Sequence, residues 1–87
     1  MIRWNDEKNA WLKRKRRISF ERIAEIIDAG NYIDIIKHPS RSNQRMFVLR
    51  IDGYVWAVPY VVEGNEEQSI FLKTAFPSRK LNRNYGE

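Results

Sequence analysis

The stretch Arg45-Met46-Phe47-Val48-Leu49-Arg50-Ile51-Asp52-Gly53-Tyr54-Val55-Trp56-Ala57-Val58-Pro59-Tyr60-Val61-Val62 decides the fold. Two runs rich in β-branched and aromatic residues flank Asp52-Gly53, the dipeptide that suits a two-residue type I′ hairpin turn. A turn of that length sets the register, pairing Ile51 with Tyr54, Leu49 with Trp56 and Phe47 with Val58 on one face. The other face holds Met46, Val48, Arg50, Val55, Ala57 and Pro59. The first set is bulkier and is expected to lie under helices, with Tyr54, Trp56 and Tyr60 as core rather than as a base-stacking platform. The second set is expected to form the floor of a shallow concave surface that includes Arg50. Pro59 has no N–H to donate, so a bulge or a locally unpaired edge is expected beside it.

Upstream of the hairpin the pattern is helical, then extended. Asn5 or Asp6 caps a first helix over Glu7 to Arg17, a run without Gly, Pro or β-branched residues. On its wheel Trp4, Lys8, Trp11 and Lys15 share one stripe, which places long lysine stems along apolar surface with their ammonium groups reaching water. Ser19 caps a second helix whose apolar stripe runs through Phe20, Ile23, Ala24, Ile26 and Ile27 to a stop at Gly30. Tyr32 to Lys37 reads as a strand that ends at His38-Pro39, with His38 read as a loop residue, and Ser40 to Gln44 reads as a polar loop. Downstream, Glu63 to Gln68 is a turn, Ser69 to Phe76 a last strand, and residues 78–85 a short helix or ordered tail.

Composition narrows the classes of function. At 87 residues the chain is a single domain, 1–87. With no Cys and one His, a disulfide framework, a thiolate nucleophile and a structural metal site are not expected. The apolar runs are far shorter than the roughly 20 residues that span a bilayer, and no signal-peptide pattern is seen, so an intracellular, cytoplasmic protein without membrane contact is expected. Residues 1–22 and 73–87 hold 12 of the 16 Lys and Arg and only Asp6, Glu7, Glu21 and Glu87, a balance of +8, whereas the middle carries −3. Packed on one side, the two ends would form a positive surface that attracts a polyanion, nucleic acid first. Arg14, Lys15 and Arg17 in the dense run of the first helix are candidate phosphate contacts, with Arg50, Lys80 and Tyr85 as further RNA-binding candidates.

Three stretches resemble the BrnT family of bacterial toxin ribonucleases, within the wider RelE/ParE superfamily. They are Trp4-Asn5-Asp6-Glu7-Lys8, then Ile18-Ser19-Phe20-Glu21, then Phe71-Leu72-Lys73-Thr74 leading to Ser78-Arg79-Lys80. Two positions depart from that pattern. The family's Lys-His is here Lys15-Arg16, and its Glu-Arg near the final Tyr is here Asn82-Arg83-Asn84-Tyr85. The resemblance implies an α+β fold, two N-terminal helices packed on a mainly antiparallel four-stranded sheet. It also implies the endoribonuclease toxin of a toxin–antitoxin pair, with RNA as substrate and an antitoxin as protein partner, the two forming a hetero-oligomer.

Metal-free RNA cleavage needs a base for the 2′-hydroxyl, cations around the phosphate and an acid for the departing 5′-oxygen. No cofactor or metal is expected, and no pair of carboxylates or histidines is apparent in the sequence. RelE-like enzymes work with Lys, Arg and Tyr, and the resemblance makes Arg79, Lys73 and Lys8 the catalytic candidates. Arg79 comes first because a guanidinium presents a planar fork to phosphate oxygens and stays protonated. Thr74 and Ser78 are read as structural hydroxyls. The rival expectation from another class is a non-catalytic basic module that binds nucleic acid or an acidic protein.

Overall fold

A computed structural model describes residues 1–64 and 69–86 of the chain. The expected hairpin is present as strands β3 (Arg45–Ile51) and β4 (Tyr54–Val62), in the register read from the turn: Ile51 opposite Tyr54, Leu49 opposite Trp56, Phe47 opposite Val58. Asp52 and Gly53 take φ of 51° and 84°, the left-handed values that a type I′ turn requires. Before the hairpin come β1 (Ile2–Trp4), α1 (Asp6–Lys15), α2 (Phe20–Asp28) and β2 (Asp34–Lys37); after it come β5 (Ile70–Leu72), β6 (Phe76–Pro77) and α3 (Arg79–Tyr85).

The α+β class holds, but the sheet is larger and more mixed than four antiparallel strands. It has six strands in the order β1-β5-β4-β3-β2, with β6 also on β4 and with β1 parallel to β5. The N-terminal residues Ile2 to Trp4 are too short a run to announce a strand; they become one because Ile70 to Leu72 offers a free edge beside them. The expected last strand over 69–76 is two strands, and the break has a local cause. Lys73 N–H donates to the Pro59 carbonyl, so the backbone of Pro59 points toward this edge and away from β3. Pro59 has no N–H to continue the ladder, and residues 73–75 leave the sheet as a strap opposite it. The unpaired edge is therefore present, whereas the β3–β4 register runs through Pro59 without a bulge. The turn expected over 63–68 falls partly on 65–68, outside the described residues.

Helices cover both faces. α1 and α2 lie on the bulky face, where Leu12, Ile18, Phe20 and Ile23 pack with Phe47, Leu49, Val58, Tyr60 and Leu72. Each N-cap is local: the side chains of Asn5, Ser19 and Ser78 accept from Lys8, Arg22 and Leu81 N–H. α1 ends two residues earlier than expected, because Arg17 turns into the left-handed region at φ 55°. Asn9, buried, joins the helices by accepting from Phe20 N–H and donating to Glu21, both at 2.8 Å. Of the short helix or ordered tail expected over 78–85, the helix is what forms, as α3, and it covers much of the second face. Val48, Val55 and Ala57 there are fully buried and Met46 and Pro59 nearly so, and of the expected concave floor there remain hollows at the Met46–Pro59 end. Among the described residues no helix is long and apolar enough to cross a membrane.

Candidate nucleic-acid interface

At that uncovered end, the β2–β3 loop, the 73–75 strap and the first turn of α3 enclose two adjoining hollows. One, of about 410 Å³, is lined by His38, Arg41, Gln44, Lys73 and Phe76 among others. The second, of about 420 Å³, shares His38 and Phe76 and continues past Lys37, Ser78, Lys80 and Tyr85. Together they form a groove across the end of the sheet. Its charged lining is Lys37, Arg41, Lys73 and Lys80, and among the described residues no Asp or Glu lines it. A groove of cations without carboxylates favours an anionic ligand, and the Phe76 and Tyr85 rings and the Pro59 and Met46 side chains supply apolar surface beside the charge.

Local bonds hold this wall in place. His38 Nδ1 accepts the backbone N–H groups of Ser40 and Arg41 at 3.1 and 3.2 Å, closing the loop onto the imidazole. Lys73 places its ammonium 5.5 Å from the Phe71 ring centroid. Thr74 Oγ1 is buried with no hydrogen-bond partner, while Ser78 is spent on capping α3. α3 is docked by three bonds: Asn82 Oδ1 accepts from Val55 N–H at 3.1 Å, Arg50 donates to the Tyr85 carbonyl at 2.9 Å, and Tyr85 donates its hydroxyl to Asp34 at 2.7 Å. The Tyr85 bond, then the Ile35 N–H, lower the pKa of Asp34; the same Asp34 bond, followed by desolvation, raises that of the Tyr85 phenol.

The sequence candidates divide among several places. Lys73 and Lys80 line the groove, and so does Tyr85, although its hydroxyl is engaged by Asp34. Arg79 is exposed at the first position of α3 and lines neither hollow. Lys8 lies on the helix layer with its ammonium 4.2 Å from the Trp11 ring centroid, where Arg16 also stacks at 4.7 Å. Arg16 then donates to the Ala75 carbonyl of the strap, tying α1 to the same strap that walls the groove. Arg50 supports the C-terminal end of α3. Arg14, Lys15 and Arg17 are exposed around the end of α1, in the layer that covers the opposite face from the groove. Arg14, Lys15 and Arg17 line neither hollow, and the two basic chain ends meet at the Arg16–Ala75 bond.

Lys37, His38 and Arg41 carry no motif that marks them as site residues in the sequence. Their one sequence signal is position, since Lys37 pairs with Arg45 and so hangs the following loop over Met46 and Pro59. A larger hollow of about 560 Å³ lies on the helix side, lined by Met1, Ile27, Asp28, Tyr32, Arg45 and Phe47 among others. It gathers no constellation comparable to the groove. Among the described residues no cluster of His, Cys, Asp or Glu suits a metal ion. Compared with protein-family models, curated proteins and solved structures, the chain has no match.

Proposed function

We propose that this protein is a RelE-like ribonuclease toxin of a bacterial toxin–antitoxin pair, acting in the cytoplasm on single-stranded RNA held in the groove. The observation that carries this reading is the groove's lining of four cations and His38 with no carboxylate among the described residues. Phosphates sit against Lys37, Arg41, Lys73 and Lys80, and an unstacked base lies on the apolar patch around Phe76. In cleavage the 2′-oxygen gives its proton to water and bonds to phosphorus as the P–O5′ bond breaks, leaving a 2′,3′-cyclic phosphate and a 5′-hydroxyl that takes its proton from water. Lys73 on the strap stabilises the charge that develops on the phosphate oxygens, joined by Arg79 when its long, exposed side chain reaches from the start of α3 to a phosphate at the groove's edge. Lys8, held on Trp11 across the sheet, serves the scaffold in this reading. An acidic antitoxin segment blocks the groove by the same electrostatics that attract RNA.

The test is to incubate the protein, freed of any partner, with naked RNA and with translating ribosomes. Cleavage in either assay, reduced about 10²-fold or more by Lys73→Ala or Arg79→Ala with the fold intact, is the expected result. Intact RNA in both overturns the nuclease reading. A second reading, a non-catalytic RNA-binding module, is favoured by the exposed Arg79 outside the groove and by the commitment of the Tyr85 hydroxyl to Asp34. It predicts binding without cleavage and only a modest loss of affinity on changing Arg79.

A further inference from the structure

His38 sits where the two hollows meet, and its ring chemistry is restricted by its own loop. Two backbone N–H groups, from Ser40 and Arg41, converge on Nδ1, and the Ser40 hydroxyl lies 3.5 Å from the same nitrogen. A nitrogen that accepts from two amides holds no proton of its own, and a hydroxyl can rotate to donate as well. The ring proton therefore resides on Nε2, the nitrogen left over for a ligand. A base at Nε2 would require the proton to move to Nδ1, directly against both amides.

We propose that His38 is a fixed-tautomer hydrogen-bond donor, whose neutral imidazole presents Nε2–H to a phosphate or base oxygen of RNA bound in the groove. This rests on the RNA reading above and assigns His38 a role that involves no proton transfer. Donation from a neutral imidazole supplies direction where the flanking lysines supply charge without it. The charged and titratable groups around it in the groove are Lys37 from β2, Arg41 from the loop, Lys73 from the strap, and Lys80 and Tyr85 from α3.

The experiment has two arms. In the first, ring-nitrogen NMR of the free protein reports the tautomer without reference to any ligand. The expected spectrum shows Nε2–H; a proton resident on Nδ1 overturns the proposal while leaving the RNA reading standing. In the second, a single-stranded RNA oligonucleotide is titrated into wild type and His38→Asn, from about pH 5 to about pH 8, the span in which imidazoles ordinarily change charge. The Asn carboxamide oxygen can accept the Ser40 and Arg41 amides in place of Nδ1, so the loop is kept while the Nε2 donor is lost. A thermal melt and the Ser40 and Arg41 amide shifts check that it is.

The expected result is an affinity loss of about tenfold or more in His38→Asn that is present at about pH 8, where an imidazole is ordinarily neutral. A loss confined to the acid end overturns the fixed donor in favour of a titrating cation. Equal affinities at all pH values overturn it in favour of a purely loop-closing role. Wild-type protein that binds no RNA at any pH overturns the RNA reading itself, and this proposal with it.

Discussion

Asn9 is the buried side chain on which the joint between α1 and α2 depends. Its amide accepts from Phe20 N–H, a first-turn donor of α2 that has no partner within the helix, and donates to Glu21. Asn9→Ala leaves that amide buried and unpaired, so stability is expected to fall by about 1–3 kcal/mol in urea unfolding. The substitution also removes the Asn9 side-chain donation to Glu21, the largest cause of the lowered Glu21 carboxyl pKa, and should let Glu21 titrate closer to its ordinary range by NMR. Gly53 is the second single-residue lever. At φ 84° no clash surrounds the missing Cβ, and the cost of a side chain comes from the backbone alone. Gly53→Val forces a β-branched residue into the left-handed region, and a destabilisation of roughly 1–2 kcal/mol is expected by thermal melt.

At the scale of elements, α3 is the piece whose attachment determines the groove. Seven residues form too short a helix to persist alone, so its order comes from docking on the sheet. Asn82→Leu leaves the fully buried Val55 N–H without its acceptor and is expected to cost about 1–3 kcal/mol of stability. The Tyr85–Asp34 bond gives the dock a pH dependence whose sign follows from the two shifts. Asp34 has a folded pKa lowered from an ordinary 3.8, so its contribution is present above that value and disappears as the pH falls through the lower folded one. Tyr85 has a folded pKa raised from an ordinary 10.0, so its contribution is present below that value and disappears as the pH rises through the higher folded one. The amide shifts of α3 should therefore move with both titrations in wild type. In Tyr85→Phe the alkaline transition should vanish, and Asp34 should titrate higher; an unchanged Asp34 titration refutes the coupling.

For the whole molecule, the layered arrangement separates two basic regions that a count of charge along the chain combines. The run at the end of α1 belongs to a helix packed on the bulky face, while Lys37, Arg41, Lys73 and Lys80 line the groove at the end of the sheet. If the groove takes up RNA, reversing Lys73 and Lys80 to Glu should weaken binding strongly. It should also make the salt dependence shallower, by about 0.7 in the log–log slope for each phosphate that the variant no longer neutralises. Reversing Arg14, Lys15 and Arg17 should have the smaller effect, since these three line neither hollow. Equal losses from the two sets in filter binding across a salt series would place the interface elsewhere.

The sequence by itself determined the features whose causes lie within a few residues. Asp52-Gly53 dictates its own φ values and with them the hairpin register, and Asn5 and Ser19 each cap a helix through an amide three residues away. The alternation along β3 and β4 likewise told which face would lie under α1 and α2, although Tyr54, expected in the core, is exposed at the turn end and the other face is equally buried. Pro59 announced an interrupted edge, because a missing N–H is a property of one residue. The tertiary structure alone decided the parallel pairing of β1 with β5, the strap opposite Pro59 and the second helical layer. Strand pairing is made by backbone groups that every sequence carries, so a three-residue run shows its partner only when the rest of the chain brings a free edge to it. The groove depends on the same long-range pairing. Lys37, His38, Arg41, Lys73 and Lys80 are separated along the chain and become neighbours only after β2, β3 and β4 align and α3 docks, which is why charge counting located basic segments but not the surface they form.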